Sequence, residues 1–88
     1  MMKKIDLTTF FLSISSAAFM GMGASSEGEQ PELDLELARQ NIDLLELMHE
    51  KTRGNRTAEE DRLIDQLLFE LRMRFVDVQS RQDTRKTT

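Results

Sequence analysis

The sequence predicts an all-α protein: an antiparallel helical hairpin with a short N-terminal helix ahead of it, two such hairpins being expected to pair into a helical bundle. Three observations carry this expectation. Between Leu35 and Val78 the apolar residues recur every three or four positions, the spacing of one face of an α-helix. That stretch is interrupted once, at Gly54-Asn55-Arg56-Thr57, where helix-stopping and helix-starting chemistry sit back to back. The only proline, Pro31, falls in the polar run before it.

Taken in order, residues 1–5 are a short polar lead, and Asp6 is placed to cap a helix over 6–22. Phe10 to Met22 is apolar and small, with Ser13, Ser15 and Ser16 among Phe, Leu, Ile, Ala and Met. Read as a helix, Phe10 to Ala24 covers only about 22 Å, against roughly 30 Å of membrane hydrocarbon. Lys3-Lys4 followed by an apolar run and Met22-Gly23-Ala24 imitates a secretory signal, but Asp6, Thr8-Thr9 and the serines interrupt the apolar region that a signal needs. The favoured reading is a domain helix with Leu7, Phe10, Ile14, Ala17, Ala18 and Gly21 on one face, whose small residues let another helix approach closely. Residues 23–33 form a Gly/Ser/Glu linker, flexible by composition.

The hairpin domain is expected over 34–78. In its first helix Leu35, Ala38, Ile42, Leu45 and His49 share one arc, and Leu37, Leu44 and Met48 lie on a second. Lys51 and Arg53 sit where the helix dipole favours cations, and Gly54 follows as the residue most at ease at positive φ. Thr57-Ala58-Glu59-Glu60 has the spacing of a capping box, so a second helix should begin at Ala58. So short a connection makes the two helices antiparallel neighbours. On the second helix Ile64, Leu67, Leu68, Leu71, Phe75 and Val78 make one face, and Phe69, Met73 and Val76 lie roughly opposite. Residues 79–88 are polar, without apolar periodicity, and are expected to fray.

Each hairpin helix is thus apolar on more surface than one partner covers. Leu37, Leu44, Met48, Phe69, Met73 and Val76 are the expected interface residues, and a homodimer is the expected state, because exposed apolar patches of that size are rare on soluble monomers. An unidentified protein partner is also compatible with these faces. Peripheral membrane contact through the first helix is a less favoured reading.

Composition excludes several function classes. The 88 residues include no cysteine, tryptophan or tyrosine, so there is no disulfide framework and no thiolate metal or redox site. A cytoplasmic location is expected. The net charge of −4 is uneven: Glu27 to Glu50 carries eight acids against the single base Arg39, whereas Lys51 to Lys86 carries nine bases against seven acids. This is the pattern of solvated helix faces, and nucleic acid is not expected as a partner.

One constellation resembles chemistry. Glu46-Leu47-Met48-His49 has the Glu-x-x-His spacing of di-metal carboxylate bundles, and Asp61 would complete a metal set of Glu46, His49 and Asp61 in a dimer. Against it, His49 is the only histidine and the motif sits at the hinge end. The favoured reading is a hydrogen-bonded polar plug between His49 and Asp61. No serine or threonine is placed as a nucleophile for His49, so no catalytic residue and no cofactor are expected.

Phe11-Leu12-x-x-Ser15-Ser16-Ala17, Leu37-Ala38-Arg39-Gln40-Asn41-Ile42-Asp43-Leu44-Leu45, Glu50-Lys51-Thr52-Arg53-Gly54-Asn55 and Leu71-Arg72-Met73-Arg74-Phe75 together resemble the bacterial proteins grouped as domain of unknown function 1844. The resemblance spans Phe10 to Val78. It implies a small, helical, non-secreted bacterial protein with no assigned activity, and an apolar first segment that belongs to the domain. The expected function is a non-enzymatic helical interaction module that self-associates; the alternative is a dimeric metal-binding protein using Glu46 and His49.

Overall fold

The computed structural model describes residues 6–23 and 33–86, which form α1 (Leu7–Gly21), α2 (Leu35–Lys51) and α3 (Ala58–Lys86). No strand occurs among them. The expected lead 1–5, residues 24–32 of the expected linker and residues 87–88 lie outside the described residues.

Local chemistry sets the helix ends. Asp6 is extended and accepts the Thr9 amide at 2.8 Å, which starts α1. Asp34 accepts the Leu37 amide at 3.0 Å and starts α2. At the far end of α2 the Thr52 hydroxyl donates to the Met48 carbonyl, and Gly54 then turns the chain at φ 83°. Nothing stands within 4 Å of where a Gly54 Cβ would lie, so glycine is favoured there by backbone conformation alone. The capping box forms in both directions: Thr57 Oγ1 accepts the Glu60 amide at 3.1 Å, and Glu60 accepts the Thr57 amide at 2.7 Å.

α2 and α3 pack antiparallel, with Asp65 against His49 and Arg72 against Glu46 further from the hinge. α1 docks across both and packs most extensively on α2. The reason for that intimacy is Gly21: a Cβ there would stand 2.7 Å from the Asp34 carbonyl oxygen and 2.9 Å from the Ala38 nitrogen. The Asp34 amide donates to the Gly21 carbonyl at 2.8 Å, stitching the end of α1 to the start of α2. Of the small residues expected to admit a close neighbour, Gly21 does so and Ala18 is fully buried, whereas Ala17 is only half-buried.

One core joins all three helices. Phe11 and Ala18 of α1, Ala38 and Leu45 of α2, and Ile64 and Leu71 of α3 are fully buried. Ile14, Ile42, Leu67 and Leu68 complete it, with Phe75 and Val78 half-buried at its end. Two details differ from the sequence expectation. The core face of α1 is rotated, so that Phe11 and Ser15 point inward while Phe10 is exposed and Ala17 half-buried. α1 is apolar nearly all round, so periodicity does not select its buried side. α3 also runs on to Lys86 instead of ending at Val78. No glycine or proline follows Gly54, and Arg81 pairs with Asp77 one turn back at 3.1 Å, so the helix continues beyond the core that supports it.

Candidate interaction surfaces

α1 fills the arcs that close the core and leaves the opposite arcs bare. On α2 the bare positions are Leu37, Leu44 and Leu47, each between 39% and 50% exposed, with exposed Gln40 between them and exposed Leu33 just ahead of the helix. From Leu37 through Gln40 and Leu44 to Leu47 the spacing of three, four and three residues is that of a coiled-coil seam. On α3 Phe69, Met73 and Val76 are between 60% and 65% exposed and share one face. Of the six expected interface residues, five are therefore on the surface. The sixth, Met48, is half-buried and packs against the core.

The α3 row borders an open groove of about 470 Å³ lined by Phe19, Phe69, Glu70, Met73, Arg74 and Asp77. The Arg74 guanidinium lies 5.5 Å from the Phe19 ring centroid, a cation–π distance. A second groove of about 410 Å³, lined by Leu35, Arg39, Asp43, Phe75 and Gln79 among others, separates α2 from α3. Neither contains a histidine or an enclosed polar pocket.

The expected polar plug between His49 and Asp61 does not form. His49 Nε2 lies 3.0 Å from Asp65 Oδ1, and Asp61 instead accepts from Arg56. Asp65, one helical turn beyond Asp61 on α3, is the acid that stands level with His49. The proposed metal set is not assembled either: Glu46 accepts from Arg72, and Glu46, His49 and Asp61 each face a different partner. No group of three or more His, Asp and Glu side chains among the described residues is placed to hold a metal ion.

The residue that sequence reasoning passed over is Arg56. Its side chain is 8% exposed, and its guanidinium donates to the His49 carbonyl, to Thr52 Oγ1 at 3.0 Å and to Asp61 Oδ1. It thereby satisfies an orphan carbonyl at the end of α2 and ties it to the first turn of α3. The signal that marks it in the sequence is weak: an arginine two residues after the turn glycine, with an acid five residues further on.

No helix among the described residues is long and apolar enough to cross a membrane. No curated protein and no solved structure matches the chain. The model of the family described as "Domain of unknown function (DUF1844)" matches residues 4–77, from just before α1 to the last part of the packed length of α3, and the chain belongs to that family.

Proposed function

We propose that this protein is a non-enzymatic helical interaction module whose first partner is a second copy of itself. The observation that carries the reading is the pair of bare apolar rows, Leu37 and Leu44 on α2 and Phe69, Met73 and Val76 on α3, left in solvent after α1 has taken its place in the core. Single exposed apolar residues are ordinary, but rows at helical spacing on two helices together exceed what soluble monomers usually show. The polar side chains support the same reading, since the His49–Asp65 and Glu46–Arg72 pairs join α2 to α3 and the Arg56–Asp61 pair ties the loop to α3. A cytoplasmic location is part of the proposal, resting on the cysteine-free sequence and on α1 being built into the domain core.

Thermal unfolding followed by circular dichroism over a hundredfold range of protein concentration tests it. Coupled dissociation and unfolding raises the melting temperature with concentration. A melting temperature that does not move across that range overturns the proposal.

A further inference from the structure

Resting on the self-association reading, a narrower question is which face pairs and how. α1 carries a second exposed row that its rotation brings to the surface: Phe10, Ser13, Ala17 and Met20, spaced three, four and three residues. This is again a seam spacing. Phe10 is 38% and Met20 66% exposed, Ser13 is exposed and Ala17 half-buried. The Gly21–Ala38 approach and the Asp34–Gly21 hydrogen bond hold α1 and α2 as a closely packed antiparallel pair. Counting outward from that junction at 1.5 Å per residue puts Ser13 level with Leu44, and Phe10 level with Leu47. The α1 and α2 rows therefore lie side by side on one two-helix face.

We propose that two copies pair through this α1–α2 face, each copy's α2 lying antiparallel on the other's α1 about a twofold axis parallel to the helices. Charge selects a second copy as the occupant. A twofold partner brings an identical set of charges, so a self-pairing surface is one that avoids placing like charges together. α1 has no charged residue from Leu7 to Gly21, and the α2 row from Leu37 to Leu47 has none in its seam positions. The acids Glu36, Asp43 and Glu50 recur every seven residues along one edge of α2. With α2 set on α1 of the other copy, that acidic edge has no like charge opposite it; with α2 set on α2, it would meet itself. The α3 row is bracketed instead by Glu70, Arg72, Arg74 and Asp77, and pairing there would desolvate charge on both sides.

The area suffices. Two antiparallel helices of about 16 residues present a footprint about 24 Å long and about 20 Å wide, roughly 480 Å² per copy and about 1,000 Å² in all. That lies at the lower limit for a specific interface, about 1,000 Å², the size of a reversible dimer. On the same count the small residues Ser13 and Ala17 at the centre of the α1 row leave room for Leu44 and Gln40 of the opposing helix, while Phe10 and Met20 meet Leu47 and Leu37 at the ends.

The absence of cysteine makes disulfide mapping of the full chain direct. Ser13→Cys and Leu44→Cys chains, one carrying a tag, are mixed under mild oxidation, with Met73→Cys as the α3 control. The expected product is the Ser13→Cys/Leu44→Cys heterodimer, in clear excess over either homodimer, with none involving Met73→Cys. In parallel Leu44→Glu should raise the dimer dissociation constant at least about 30-fold, as truncation at the centre of an interface does, while Met73→Glu changes it less than about threefold. Circular dichroism confirms that both variants are folded. A dimer by sedimentation with Leu44→Cys homodisulfides or Met73→Cys cross-links in excess overturns this face and leaves self-association standing. A monomer at every concentration overturns both.

Discussion

Replacing Arg56 with methionine should cost more stability than any other substitution in the hinge. Its guanidinium is 8% exposed and donates to the His49 carbonyl, the Thr52 hydroxyl and the Asp61 carboxylate. Asp61 is about half exposed, so water screens that ion pair and it contributes at most about 1 kcal/mol. The bonds to the His49 carbonyl and Thr52 hydroxyl come from a buried charge, and losing them costs roughly 1 to 3 kcal/mol together, because the carbonyl is left half-covered without a donor. The expected loss is about 1 to 4 kcal/mol, a large part of the roughly 4 to 13 kcal/mol expected for a domain of this length. Urea unfolding at matched protein concentration reads it directly. With a slope of about 1 to 1.5 kcal/mol per molar, the midpoint should fall by about 2 M while the slope stays constant. Arg56→Lys should recover only part of the loss, since an ammonium cannot span the three acceptors as the guanidinium does. A midpoint change in Arg56→Met equivalent to less than about 0.5 kcal/mol, within the usual range of surface substitutions, would refute the role given to this side chain.

The remaining expectations follow from named positions. Gly54→Val should destabilise by at least about 1 kcal/mol through positive φ, and Thr57→Ala by about 0.5 to 2 kcal/mol through the lost cap; unchanged urea midpoints for both would contradict the hinge geometry. Gly21→Ala should cost about 1 to 3 kcal/mol, because its Cβ would stand 2.7 Å from the Asp34 backbone oxygen and must push α1 away from α2. A Gly21→Ala protein as stable as wild type would mean that the helices are not so close. Alanine substitutions at His49 and Asp65 should couple by a few tenths of a kcal/mol to about 1 kcal/mol in a double-mutant cycle, while His49 and Asp61 should be additive; coupling to Asp61 and none to Asp65 would reverse the register of the hairpin.

Much of this architecture is legible in the sequence where the determinants are local. Gly54, Thr57 and Glu60 act within a few residues of one another, so their spacing fixes the hinge. The core faces of α2 and α3 are legible because acids and bases on their other sides mark which arc is dry. α1 offers no such contrast; with no charge from Leu7 to Gly21, only tertiary packing decides that Phe11, and not Phe10, turns inward. The length of α3 is hidden for a related reason, since losing apolar partners after Val78 removes packing without supplying a helix stop. His49 finds Asp65 instead of Asp61 because the level of a residue across a hairpin depends on loop shape as well as residue count. Arg56 is opaque for the same cause: whether a turn arginine folds back on a helix end is set by the path of the loop. Among the candidate interface residues, Leu37, Leu44, Phe69, Met73 and Val76 are legible as surplus apolar positions, whereas Met48 is half-buried against the core, which its arc alone does not show.

Sedimentation equilibrium of the full chain from low to high micromolar concentration tests the central claim most directly. The account predicts a reversible shift toward a mass about twice the 10.2 kDa of one chain, with Leu44→Glu held at the lower mass while still helical. A single species of 10.2 kDa throughout, unchanged at the highest concentration, would contradict it and leave the bare rows of α1 and α2 without their partner.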